Sequence, residues 1–166
     1  MKLKLLYVVM AIATLSYSCS TDGDDNEINE DSISNLVGVW NLTTVNFTGQ
    51  DASELNLAAE IVDNLADEGC YLVSLDFNED SSVIGTYKTD FIEINAGPTG
   101  LDVPCPTESL TETSVWSLDG NQLTFINEDL EEETIEISLD GNTLILAGEA
   151  IDADNYSGAE AVFMKN

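Results

Sequence analysis

The chain has 166 residues, 32 acidic and 4 basic, and a formal net charge of −28 at pH 7. Its basic residues are Lys2, Lys4, Lys88 and Lys165, too few to neutralise phosphates and release their counterions, which excludes nucleic-acid binding. Neither His nor Arg occurs, which removes Ser-His-Asp and Cys-His nucleophiles, His-ligated zinc and guanidinium clamps on phosphate.

Residues 1–18 have the layout of a signal peptide: Lys2 and Lys4, an apolar stretch from Leu5 to Leu15, then small or polar residues. That stretch is too short for a stable membrane-spanning helix, which needs roughly 20 residues. Leu15-Ser16-Tyr17-Ser18-Cys19 resembles a bacterial lipobox, with Ser16 where an aliphatic residue is usual. The resemblance implies lipidation of Cys19 and a chain held on a membrane by its acyl groups. A soluble secreted protein cut near the same point is the alternative.

Residues 19–33 are expected to form an acidic, solvated tether, because Ser20 to Asp31 offers almost nothing to bury. An acidic patch directly after the acylated Cys resembles the signal that sends some gram-negative lipoproteins to the outer face of the outer membrane; a plain spacer is the alternative. Asp22, Asp24 and Asp25 lack the Gly and the twelfth-position Glu of an EF-hand loop, so no metal is expected there. Asp31-Ser32-Ile33 resembles a bacterial O-glycosylation tripeptide.

Residues 34–166 read as one all-β domain, because apolar residues recur with period two in short runs separated by turn residues. Leu36 to Phe47 is the first strand. Asp51 to Glu68 then carries Leu55, Ala58, Ala59, Val62, Leu65 and Ala66 at helical spacing, with Asp51 and Glu54 as caps and Gly69 as the stop. Cys70 to Phe77 is the second strand, Ser82 to about Ile94 the third, and Leu110 to Leu118 the fourth.

Ser117-Leu118-Asp119-Gly120-Asn121 recurs as Ser138-Leu139-Asp140-Gly141-Asn142, and Asp-Gly between alternating strands marks a tight hairpin. These turns join Val115–Leu118 to Gln122–Asn127, and Thr134–Leu139 to Thr143–Ala147. Ala159 to Met164 is the last strand and can pair with the first, closing an up-and-down antiparallel barrel of about eight strands with one helix after the first.

With Cys19 assigned to lipid, Cys70 and Cys105 are left as a pair. In an oxidising envelope they are expected to form a disulfide closing a loop of about 36 residues. Two buried free thiols are the alternative.

Leu36-Val37-Gly38-Val39-Trp40 resembles the Gly-x-Trp start of a lipocalin barrel. Together with Leu75-Asp76-Phe77-Asn78-Glu79-Asp80 and Trp116 to Phe125, it makes residues 36–165 similar to the lipocalin-like domains of gram-negative envelope lipoproteins. The resemblance implies that Trp40 plugs the closed end of the barrel under Gly38. The Arg that usually packs over that Trp is missing.

Three functional readings follow. In the first, Tyr71, Phe77, Tyr87, Phe91, Trp116, Phe125 and Phe163 line a pocket for a small apolar or aromatic ligand, or else simply form the core. In the second, the barrel is a filled scaffold whose acidic stretches, Glu128 to Glu133 and Asp152 to Tyr156, contact a protein or glycan partner. The third is two-carboxylate catalysis, but nothing singles out one pair among 32 acids, so no enzyme is expected. No cofactor is implied, and a monomer is expected.

Overall fold

The computed structural model describes residues 30–47, 52–98, 100–127, 129–148 and 158–166. The leader, Cys19, most of the tether and the Asp152 to Tyr156 stretch lie outside them. Among the described residues, no helix is long and apolar enough to cross a membrane.

Eight antiparallel strands close into a barrel: β1 (Gly38–Phe47), β2 (Val73–Phe77), β3 (Ser82–Tyr87), β6 (Leu110–Asp119), β7 (Gln122–Ile126), β8 (Glu132–Asp140), β9 (Thr143–Ala147) and β10 (Ala159–Lys165). Each strand pairs with its sequence neighbour in the barrel, and β10 pairs with β1 to close it. A separate two-stranded hairpin, β4 (Asn95–Gly97) with β5 (Gly100–Asp102), lies in the crossing between β3 and β6. The recurring Asp-Gly turns are where the sequence puts them, with Gly120 at φ +63° and Gly141 at φ +57°, a backbone conformation cheap only for glycine.

Three of the boundaries that differ from the sequence reading bear on the site. Glu30–Leu36 is a short helix, α1, so β1 begins at Gly38 and Leu36 closes the helix instead of opening the strand. The reason is the spacing of Ile33 and Leu36, which turns both toward the core at one helical turn, with Leu36 wholly buried. The second strand starts at Val73, which leaves Cys70 and Tyr71 ahead of the sheet. The third ends at Tyr87, well short of Ile94. Tyr87 pairs with Val73 on one side and Leu110 on the other, and these residues begin the neighbouring strands, so beyond it only Lys88 N–H still finds a partner there, Leu72 O at 2.8 Å. The chain instead turns through a 3-10 segment, Thr89–Phe91.

Helix α2 (Ala52–Asp67) packs against β1. β2 pairs only with Gly38 to Asn41, so the upper half of β1 has no strand on that side. α2 occupies this stretch, with Thr44 donating a hydrogen bond to Asp63 and Val62 set beside Leu42, Val45 and Leu72. The helix ends as expected at Gly69. Gly69 N–H bonds Ala66 O (2.9 Å) and Cys70 N–H bonds Leu65 O (2.8 Å), the paired bonds of a Schellman cap. Asp51 and the side chain of Glu54, the expected caps, lie outside the described residues.

Directly after that cap, Cys70 forms a disulfide with Cys105, their Cα atoms 5.9 Å apart. The bond fastens the long β3–β6 crossing to the end of α2.

At the opposite end the barrel is plugged. Trp40 is wholly buried and its Nε1–H donates to Leu36 O at 2.6 Å, so α1 and the indole hold each other. The cation absent as Arg is supplied by Lys165 from β10, whose Nζ lies 5.2 Å from the Trp40 ring centroid and donates to Asn35 O at 2.7 Å. A Cβ at position 38 would come within 2.8 Å of Lys165 Cε, so glycine there leaves room for this chain to cross.

Candidate functional site

Alternation along the strands decides which side chains point inward, and the position of each along the barrel axis decides what they do there. Toward the plugged end two aromatic rings pack against each other. Trp116 meets Phe77 edge to face, centroids 5.4 Å apart, and its Nε1–H donates to Ser82 O at 3.0 Å. Both rings are buried, and Leu118 and Ile137 belong to the same core.

Above this layer the interior opens into a cavity of about 380 Å³. Its lower wall is apolar: Phe77 and Phe163 with Leu75, Val83, Leu123 and Leu146. Phe125, and Ile135 across from Leu123, complete the apolar wall. Toward the mouth the lining turns polar, with Tyr87, Thr89, Asp90, Glu112, Ser114 and Asn127. Leu110, on the same wall, is 48% exposed, which marks the side on which the cavity opens.

Four of the seven aromatic candidates therefore share this cavity: Phe77, Tyr87, Phe125 and Phe163. Trp116, the cross-strand partner of Phe125, is turned toward Phe77 and Ser82 and is not among the lining residues. Tyr71 precedes β2 and Phe91 sits in the 3-10 segment, and neither is among the lining residues. The aliphatic and polar lining was not singled out from sequence. Its signal is present in β6, where Leu110, Glu112 and Ser114 share the inward phase of Trp116 and Leu118.

Local packing shapes the polar wall. Tyr87 folds back along β3, so that a Cβ at Gly85 would fall 2.5 Å from its hydroxyl oxygen and 2.6 Å from a ring carbon. Gly85 is thus the residue that lets a tyrosine lie flat in the wall. Its cross-strand partner is Glu112. Ser114 Oγ donates to Ile126 O at 2.7 Å and accepts from Ile126 N–H at 3.1 Å, which binds β6 to the end of β7 beside the mouth.

The acidic stretch after β7 is partly strand, since Glu132 and Glu133 open β8. Asn127 Oδ1 accepts from Asp129 N–H (3.1 Å) and Glu131 N–H (3.0 Å), holding the turn. Among the described residues, no group of three or more Cys, Asp or Glu is placed to hold a metal ion. At the β2–β3 turn the Ser82 hydroxyl and backbone N–H both donate to Asp80 and hold its carboxyl below the ordinary aspartate value.

Among curated proteins, nothing matches the chain. Among solved structures it is similar to a lipocalin-like protein from Bacteroides uniformis, with 16% identity over 80% of this chain and 99% of that one, and a TM-score of 0.40. The family model of the lipocalin-like domain matches residues 36–146, from the buried end of α1 through the plugging Trp40 to β9. The chain belongs to the lipocalin-like domain family.

Proposed function

We propose that this protein is a lipid-anchored envelope lipoprotein whose barrel holds one small, mainly apolar molecule. The observation that carries the reading is the cavity of about 380 Å³, walled by Phe77, Phe163, Leu123 and Leu146 below and open beside Leu110 above. A void of this size with an apolar wall and a few polar groups at its rim has the form of a small-molecule site. It favours binding over a solid scaffold, which needs a filled interior. The envelope location and the anchor rest on the signal-peptide layout, on Cys19 in its lipobox-like setting, and on the acidic tether that suits the outer membrane.

The binding reading is tested with the neutral fluorophore N-phenyl-1-naphthylamine. The expected result is saturable fluorescence enhancement at one probe per chain, abolished in Ile135→Trp, which places an indole in the cavity while melting as a folded domain. No enhancement with the unaltered protein would defeat the reading. For the anchor, Cys19→Ala is expected to move the protein from the membrane fraction to the soluble one. Retention in the membrane fraction would defeat the lipoprotein assignment.

A further inference from the structure

Two carboxylates, Asp90 and Glu112, line the upper part of the cavity, and no lysine does. The two described lysines are committed elsewhere. Lys88 directs its Nζ to Cys105 Sγ at 3.9 Å, beside the disulfide, and Lys165 lies over Trp40 at the plugged end. The chain as a whole adds a negative field, with a formal charge of −28. Both residues are exposed at the rim, so a ligand anion there would meet two like charges and a cation would be attracted by both, an effect that salt weakens. Below the rim, the Phe77, Phe163 and Leu146 wall offers only apolar surface.

We infer that the cavity takes a cationic amphiphile, an apolar body carrying a protonated amine, with the amine held at the rim by Asp90 and Glu112. This rests on the binding reading above and narrows it from apolar molecules in general to one charge class. Glu112 stands across from Gly85 in the β3–β6 pairing, and the Tyr87 hydroxyl overlies that glycine in the same wall.

The test is isothermal titration of the full chain with three probes that differ only in the head group: decylammonium, decanol and decanoate. The expected order is decylammonium tightest, by about tenfold over decanol, with decanoate weakest. In the Asp90→Asn, Glu112→Gln double variant the ratio of decylammonium to decanol affinity is expected to fall to about twofold or less, at an unchanged melting temperature. Equal affinity for decanol and decylammonium in the unaltered protein overturns the charge inference and leaves the cavity reading standing. A preference that survives in the double variant also overturns it, since the molecule's overall charge would then be its source. Failure of all three probes to bind overturns both readings.

Discussion

Lys165 lies across the indole of Trp40, its Nζ 5.2 Å from the ring centroid, while donating a hydrogen bond to Asn35 O at 2.7 Å. One cation thus joins the last strand of the barrel to the plugging ring of the first and to the helix before it. Lys165→Met keeps most of the side-chain volume and loses the charge. It is expected to cost about 1 to 2 kcal/mol in urea unfolding, from the cation–π contact and the charged hydrogen bond together. Trp40→Ala is expected to cost roughly 3 to 5 kcal/mol, since it empties a fully buried position. A Lys165→Met variant as stable as the parent would show that the contact is only geometric.

The Cys70–Cys105 bond closes a loop spanning 35 positions of sequence. On the chain-entropy account its removal, in a Cys70→Ala, Cys105→Ala variant, lowers stability by roughly 3 to 4 kcal/mol. The prediction is checked by comparing denaturation midpoints of the oxidised parent, the reduced parent and the variant. The last two should coincide. A local consequence is expected as well, namely earlier proteolysis in the β3–β6 crossing, because the bond fastens that segment to the end of α2.

Gly85 and Tyr87 form a size-matched pair in the cavity wall. Gly85→Ala sets a methyl against the phenol and is expected to destabilise by about 1 to 3 kcal/mol, as overpacking does. Tyr87→Ala should remove most of that penalty, so the double variant is expected to be more stable than the sum of the single effects predicts. Additive single effects would mean that the ring has another resting place at no cost.

Asp80 supplies a pH dependence whose sign is fixed. Its folded-state pKa is lowered, chiefly by the Ser82 hydroxyl and then by the Ser82 N–H. The stability it contributes is therefore complete above the ordinary aspartate range near 4 and is lost as pH falls through the lower folded-state value. The stability difference between the parent and Asp80→Asn should be constant near neutral pH and shrink in acid. Taking the difference cancels the relief of general repulsion that acid brings to so negative a chain. A difference that grows in acid would contradict the assignment.

The parts of the fold legible in the sequence are those set by local chemistry. The two Ser-Leu-Asp-Gly-Asn turns, the helix stop at Gly69 and the alternation of β6 depend on residues within a few positions of one another. The parts missed depend on distant partners. β3 stops at Tyr87 because its neighbours start at Val73 and Leu110, which alternation within Ser82 to Ile94 does not reveal. Lys165 over Trp40 joins residues from the two ends of the domain. Among the candidate site residues, alternation tells that Trp116 and Phe125 point inward but not which way each ring leans. The two are cross-strand partners, yet Trp116 turns to Phe77 and Ser82 while Phe125 lines the cavity.

The seam between β1 and β10 sets the pace of assembly. Its partners, such as Thr43 and Val162, are 119 positions apart, so this pairing is among the costliest contacts in chain entropy and should form late. Until it does, β1 and β10 each present an unpaired edge on which a second copy of the chain could add a strand. The surplus of carboxylates then serves folding as well as solubility, because two unfinished barrels repel each other during the interval in which their edges are open.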